Sequence, residues 1–138
     1  MALLNFKRRA APTAGTAVVE AFLDGYSIEV MPRTAEKVDD FRALLPKCTR
    51  VYIAHIEGTP IDDMVATAAR LNADGFPVMP HFPARIIADT ATLADWIARY
   101  QGEADVKQAL LLAGGVTTPV GDFDSSMQLL DTGLFDKA

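Results

Sequence analysis

Tyr26-Ser27-Ile28-Glu29-Val30-Met31-Pro32 is a short apolar run with one carboxylate in its middle and a proline at its end. Its length, the β-branched Ile28 and Val30, and the Pro32-Arg33-Thr34 boundary predict a buried β-strand. Side chains alternate across a strand, so Ile28 and Val30 share one face while Ser27, Glu29 and Met31 share the other. An ionised carboxylate in dry protein costs several kcal/mol unless it is paired. Glu29 is therefore expected to be hydrogen-bonded, exposed at the mouth of the strand, or tuned for chemistry.

Outward from this strand the chain alternates strand and helix signals. On the N-terminal side, residues 1–15 read as a loose, disordered basic tail. Thr16 then caps a helix whose Val18, Val19, Phe22 and Leu23 form an apolar stripe closing one end of a core, with Gly25 at its C-terminal turn. On the C-terminal side, Thr34 is an N-cap and Val38, Phe41, Leu44 and Leu45 recur at helical spacing up to Pro46. Arg50 to Ile56 is a second strand. Thr59 caps the next helix, with Pro60 at its first position, Asp62 and Asp63 in the first turn, and Met64, Val65, Ala68 and Leu71 as its buried stripe. Phe76 to Pro80 is a third strand leading into His81. Asp89 opens a helix marked by Leu93, Trp96, Ile97 and Tyr100. Gln108 to Ala113 is a continuously apolar fourth strand, as expected when both faces are buried, and Gly114-Gly115 breaks it. Ser125 to Asp131 is a short helix with Leu129 and Leu130 inward, stopped near Gly133.

Strands and helices alternating at about 30 residues per unit predict βαβ units and a parallel α/β sheet. Two closures compete: an open doubly wound domain, and a (β/α)8 TIM barrel of about 250 residues. In the barrel reading, residues 16–138 supply about the first four β/α units as a partial barrel domain. Glu29, His55, His81 and Gly114-Gly115 all fall at the carboxyl ends of successive strands, the face on which barrel enzymes carry their chemistry.

Composition narrows the function classes. The 138 residues are 50% hydrophobic and 22% charged, an ordinary globular balance. The net charge of -5, from 18 acids against 13 bases, leaves Lys7-Arg8-Arg9 as the one basic cluster, so nucleic acid is not an expected partner. A single cysteine, Cys48, and two histidines without cysteine neighbours at ligand spacing argue against a disulfide and against a zinc site. A reducing cytoplasm is the expected compartment. The N-terminus has no secretory h-region, and no apolar run approaches the roughly 20 residues of a membrane span. Gly114-Gly115 lacks the third glycine of a dinucleotide fingerprint and the lysine of a P-loop. Taken singly, His55 and His81 read as ordinary hydrogen-bonded core histidines, and the glycine pair as a tight turn. Their joint placement on one rim singles them out.

Read together, these motifs resemble the methylenetetrahydrofolate reductase family, flavin-dependent barrel enzymes of one-carbon metabolism. Ser27-Ile28-Glu29-Val30-Met31-Pro32 is similar to the family's first-strand Ser-x-Glu-Phe-Phe-Pro. Pro80-His81 resembles its third-strand Pro-His, whose histidine contacts the flavin. Leu112-Ala113-Gly114-Gly115 resembles its fourth-strand Leu-Arg-Gly-Asp turn, and Phe123-Asp124-Ser125-Ser126-Met127 its Tyr-Ala-Ser-Asp-Leu helix start. His55 falls near the position of a flavin-contacting threonine. The resemblance spans about residues 25 to 135, in order. Ala113 and Gly115 replace the family's arginine and aspartate, the latter lying beside the flavin and helping to hold the folate. Arg33 replaces a second proline, and Phe82-Pro83-Ala84 replaces Leu-Thr-Cys.

The resemblance implies the N-terminal half of a barrel whose cofactor is FAD, with NADH or NADPH as electron donor and 5,10-methylenetetrahydrofolate as the small-molecule substrate. Glu29 would be the general acid that opens the methylene bridge, and His55, His81, Ala113, Gly114 and Gly115 would lie against the cofactor. A half barrel has two unpaired strand edges, so a homo-oligomer, a second chain or the missing C-terminal half of a longer protein is expected to cover them. The alternatives are a folate-binding or one-carbon-carrier-binding barrel without the reductase step, and a non-catalytic half-barrel association module.

Overall fold

The structure, a computed structural model, describes residues 14–137. The expected N-terminal tail lies largely outside the described residues. Four parallel strands, β1 (Ser27–Val30), β2 (Arg50–Ile53), β3 (Val78–Pro83) and β4 (Leu110–Leu112), lie in the order β1-β2-β3-β4. A doubly wound sheet reverses its strand order and carries helices on both faces. Here the order runs one way without reversal, and helices α3 (Ile61–Ala73) and α4 (Thr90–Ala104) pack on each other and on the same core.

Alternation along each strand defines the two faces. Val51 and Ile53 of β2 and Val78 and Phe82 of β3 meet Met64, Val65, Ala68 and Leu71 of α3 and Leu93, Ile97, Tyr100 and Ala104 of α4. This is the main core, and the two apolar stripes form it as their spacing dictates. Arg99 of α4 bridges to Asp62 of α3 at 2.7 Å, and Asn72 donates to the carbonyl of Ala104 at 3.0 Å, closing the end of α4. The other face carries Glu29, Tyr52, Met79, His81 and Leu110, with Glu29, Tyr52 and Met79 in one row of paired register.

The sheet is staggered. β3 pairs with β2 through Val78 to Pro80 and with β4 through His81 to Pro83. The third strand therefore runs three residues beyond the Phe76–Pro80 expectation. Its prolines interrupt the ladder less than their number suggests, because each half of the strand is paired on a different side.

Several local expectations are corrected. Helix α1 begins at Ala14 and ends at Phe22, so Thr16 lies inside its first turn and is not its cap. Its stripe is not buried: Phe22 is 86% exposed, and Val18, Val19 and Leu23 are also exposed. In place of one helix from Thr34 to Leu45 there are a single turn, α2 (Pro32–Ala35), and a 3-10 turn at Phe41–Ala43. Pro32 starts α2 at N1 and Thr34 sits at N3, where its hydroxyl accepts from the Met31 amide at 3.0 Å. Arg70 of α3 explains the interruption, donating to the carbonyls of Ala35 at 3.0 Å, Val38, and Asp39 at 3.2 Å. The Val38 and Asp39 carbonyls thus bond to a guanidinium and not to a helical turn, while the Ala35 carbonyl also accepts from the Val38 amide at 3.1 Å. Helix α3 starts at Ile61 with Pro60 as its N-cap, one residue later than Thr59 suggested.

Strand β4 is shorter than Gln108–Ala113, and Leu110 is 38% exposed because the strand is an edge with one face uncovered. Helix α5 (Ser126–Asp131) is capped at Ser125, whose amide donates to Gln128 at 3.0 Å. Leu129 is buried as expected, but Leu130 is exposed. No helix of the described residues is long and apolar enough to cross a membrane.

Candidate functional site

Two of the sequence-nominated residues meet directly. Glu29 is at the third position of β1 and His81 at the fourth of β3, and their shared face places Glu29 Oε2 3.3 Å from His81 Nε2. The imidazole is buried, whereas 59% of the Glu29 side chain is exposed. The contact lies within ion-pair distance without hydrogen-bond alignment, so His81 Nε2 is a buried nitrogen lacking a hydrogen-bond partner among the described residues. Burial holds His81 below its usual pKa of 6.5, and the Glu29 charge opposes that shift. Tyr52, on the strand between them, stands edge-on to the imidazole with ring centroids 6.2 Å apart.

His55 follows the end of β2 and is also buried. It stacks in tilted fashion on Trp96 of α4, centroids 4.7 Å apart, and its Nε2 lies 3.0 Å from the Thr59 carbonyl. A carbonyl only accepts, so Nε2 carries the proton and Nδ1 is left as an acceptor in the neutral ring. That Nδ1 is buried and unpartnered among the described residues. Burial is the main cause lowering the His55 pKa, opposed by the Thr59 bond, with the nearby His81 charge a further lowering effect.

His55 and Gly115 line one cleft of about 540 Å³ at the carboxyl ends of β2, β3 and β4, together with Glu57, Pro83, Thr117 and Thr118. Glu29 and His81 lie outside its lining, on the second face of the sheet. Ala113 and Gly114 shape the turn: the Ala113 carbonyl accepts from the Arg85 amide at 2.9 Å, and Gly114 has φ +97° with Pro83 close by. A side chain at Gly114 would be strained and would press Pro83 at 3.1 Å, whereas Gly115 has open space around it.

Three residues that the motifs did not nominate organise this rim. Arg85 Nε donates to the side chain of Asp124 at 2.8 Å and to its carbonyl at 3.0 Å, and Arg85 also reaches the Val116 carbonyl at 3.3 Å. Gly121 lies so close to Ala88 that a Cβ would fall 1.8 Å from its carbonyl oxygen. Tyr52, in register with Glu29, stands edge-on to the His81 ring. A lone cation in the apolar stretch Phe82–Ala88 was the available signal for Arg85; the roles of Gly121 and Tyr52 depend on pairings across the fold and leave no local signature.

Among the described residues no group of three or more histidine, cysteine or acidic side chains is placed to hold a metal. No family model matches the chain. The structure defines the class as an α/β domain with a four-stranded parallel sheet whose chemistry-bearing side chains gather at and beside the carboxyl ends of its strands.

Proposed function

We propose that the chain is the N-terminal half of a methylenetetrahydrofolate reductase-like (β/α)8 oxidoreductase of the cytoplasm, using FAD with NADH or NADPH to reduce 5,10-methylenetetrahydrofolate. The observation that carries this reading is the Glu29–His81 pair on the second face of a parallel sheet whose order does not reverse. The one-sided packing of α3 and α4 and the stagger along β3 support the barrel, because closing a parallel sheet requires both a helical outer layer and a shear between strands. The four units would be completed by a C-terminal half or a second chain along the free edges of β1 and β4.

The residues present fit a flavin in part. His55 Nδ1 is a buried acceptor without a partner on a ring that lines the rim cleft, and His81 Nε2 is a second buried nitrogen without a hydrogen bond. These two rings would hold polar atoms of the cofactor, and the backbone at Ala113, Gly114 and Gly115 would lie against it. When bound, the flavin supplies a two-electron carrier between nicotinamide and folate.

Glu29 performs the acid step. A folate nitrogen is a poor leaving group until protonated, and a protonated carboxyl delivers that proton as the methylene bridge opens. Its exposure on the sheet face leaves it accessible to a substrate. Burial disfavours the charged forms of His55 and His81, so at rest near pH 7 they are hydrogen-bonding rings that place no standing positive charge beside the acid.

The test is a pair of half-reactions after loading with FAD. Glu29→Gln is expected to abolish folate reduction and leave flavin reduction by nicotinamide largely intact; equal loss of both makes Glu29 structural. A second reading, a folate-binding barrel without the redox step, is favoured by Gly115 in place of the family's aspartate. Folate binding with no retained flavin selects it. Concentration-dependent dimerisation with neither ligand selects a half-barrel association module.

A further inference from the structure

We infer that His81 is the positioning residue of Glu29, forming with it a proton-coupled pair that restores the carboxyl after each turnover; the catalytic part of this rests on the reading of Glu29 as general acid. Glu29 has no lysine or arginine within ion-pair distance among the described residues, and His81 Nε2, at 3.3 Å, is the one basic nitrogen that approaches it. The pair is asymmetric in burial: the acid is exposed to arriving substrate, and the base is held in the sheet.

The strands on either side restrain the ring. Tyr52 of β2 meets it edge-on at 6.2 Å, and Leu110 of β4 is its register partner. Of the titratable groups facing His81, Glu29 comes from β1, Tyr52 from β2 and His55 from just beyond β2, and no acidic or basic side chain of β4 stands in its register. Glu29 is therefore the one carboxylate in position to govern its protonation.

The proton accounting closes without another reagent. Glu29 gives its proton to the substrate nitrogen and becomes a carboxylate. The His81 ring takes a proton from water at its other nitrogen, Nδ1, gives the one on its buried Nε2 to that carboxylate, and is left neutral with its proton on Nδ1, from which exchange with water restores the starting tautomer. The opposite charge that Glu29 then carries favours the brief imidazolium, so the acid itself recruits its replacement proton.

The test follows the His81 ring protons by NMR through a pH titration of this chain, without cofactor. Replacing the carboxylate in Glu29→Gln is expected to lower the His81 titration midpoint, and Glu29→Asp, which keeps the charge on a shorter arm, to give a value between the two. In the unaltered chain, raising sodium chloride from 0.02 M to about 0.5 M screens the pair and is expected to move the midpoint the same way, a reading that does not depend on any variant folding. A midpoint that stays put in Glu29→Gln, with the amide spectrum otherwise superposable, or in high salt, overturns the pair. Coupling in a chain that retains no flavin keeps the pair and removes the reductase reading; retained flavin without coupling does the reverse. In a loaded enzyme, with both rates normalised to the flavin retained, His81→Gln is expected to shift the pH profile of folate reduction further than that of flavin reduction, and equal shifts of both overturn the proton-returning role.

Discussion

Arg85 and Asp124, 39 positions apart, are joined by a 2.8 Å bond between the guanidinium Nε and the carboxylate, reinforced by the Asp124 carbonyl at 3.0 Å. This link fastens the exit of β3 to the loop that enters α5 and so fixes the rim on which Gly115, Thr117 and Thr118 are carried.

Removing it should loosen that loop while sparing the core. Arg85 is 31% exposed, so the usual worth of hydrogen bonds to a charged group is discounted for solvent, and Arg85→Ala is expected to cost about 1 kcal/mol by urea denaturation. Arg85→Lys should recover little, since an ammonium cannot donate in a fork to Asp124 and Val116 together. Hydrogen exchange over residues 113–124 should rise in both variants.

Gly121 and Gly115 offer a matched comparison. A Cβ at Gly121 would meet the Ala88 carbonyl at 1.8 Å, whereas Gly115 has nothing within 4 Å. Gly121→Ala is expected to break the adjoining bond from the Asp122 amide to Ala88 and to destabilise by about 2 kcal/mol or more, while Gly115→Ala stays within about 0.5 kcal/mol. Thermal melts of the two variants side by side check this.

Stability should depend on pH through the histidines. The folded His55 and His81 titrate below the usual 6.5, so just under that pH the unfolded chain binds protons that the folded chain does not. Their contribution is fully present above pH 6.5 and is lost as pH falls through the folded values. His55→Phe, which keeps a ring against Trp96, should flatten the fall of the urea midpoint between pH 6.5 and 5.5. An unchanged slope in that variant would show that His55 is not one of its sources.

The apolar stripes of α1 and α3 should respond oppositely to truncation. Leu71 is fully buried in the core, and Leu71→Ala is expected to cost about 3 kcal/mol; Phe22→Ala, from a side chain 86% exposed, should change stability by less than about 0.5 kcal/mol. Equilibrium denaturation of both variants in this chain tests the assignment of core and surface.

Local sequence determined the elements in which periodicity and capping act over a few residues. The strand at Glu29, exposed on one face and only partly buried on the other where a buried strand was expected, the stripes of α3 and α4, the helix start at Asp89 and the short helix after Ser125 follow from chemistry within one or two turns, and the structure has them there. Alternation put Glu29 on its face of β1, but strand length did not place the histidines: β2 stops at Ile53, short of His55 and of the expected Ile56, and β3 runs on to Pro83, leaving His81 within the strand.

Only the tertiary structure decided which of these residues meet. Glu29 pairs with His81 and not with His55 because strand register brings two positions 52 residues apart onto the same face. The helix expected from Thr34 breaks where Arg70, from another element, bonds the carbonyls of Val38 and Asp39. The α1 stripe looks like a core stripe in sequence and is exposed in space because periodicity specifies a face without specifying what covers it. Pairing, register and burial are relations between distant segments, and their energies arise when those segments come together, which is why they were not written in any one stretch of the chain.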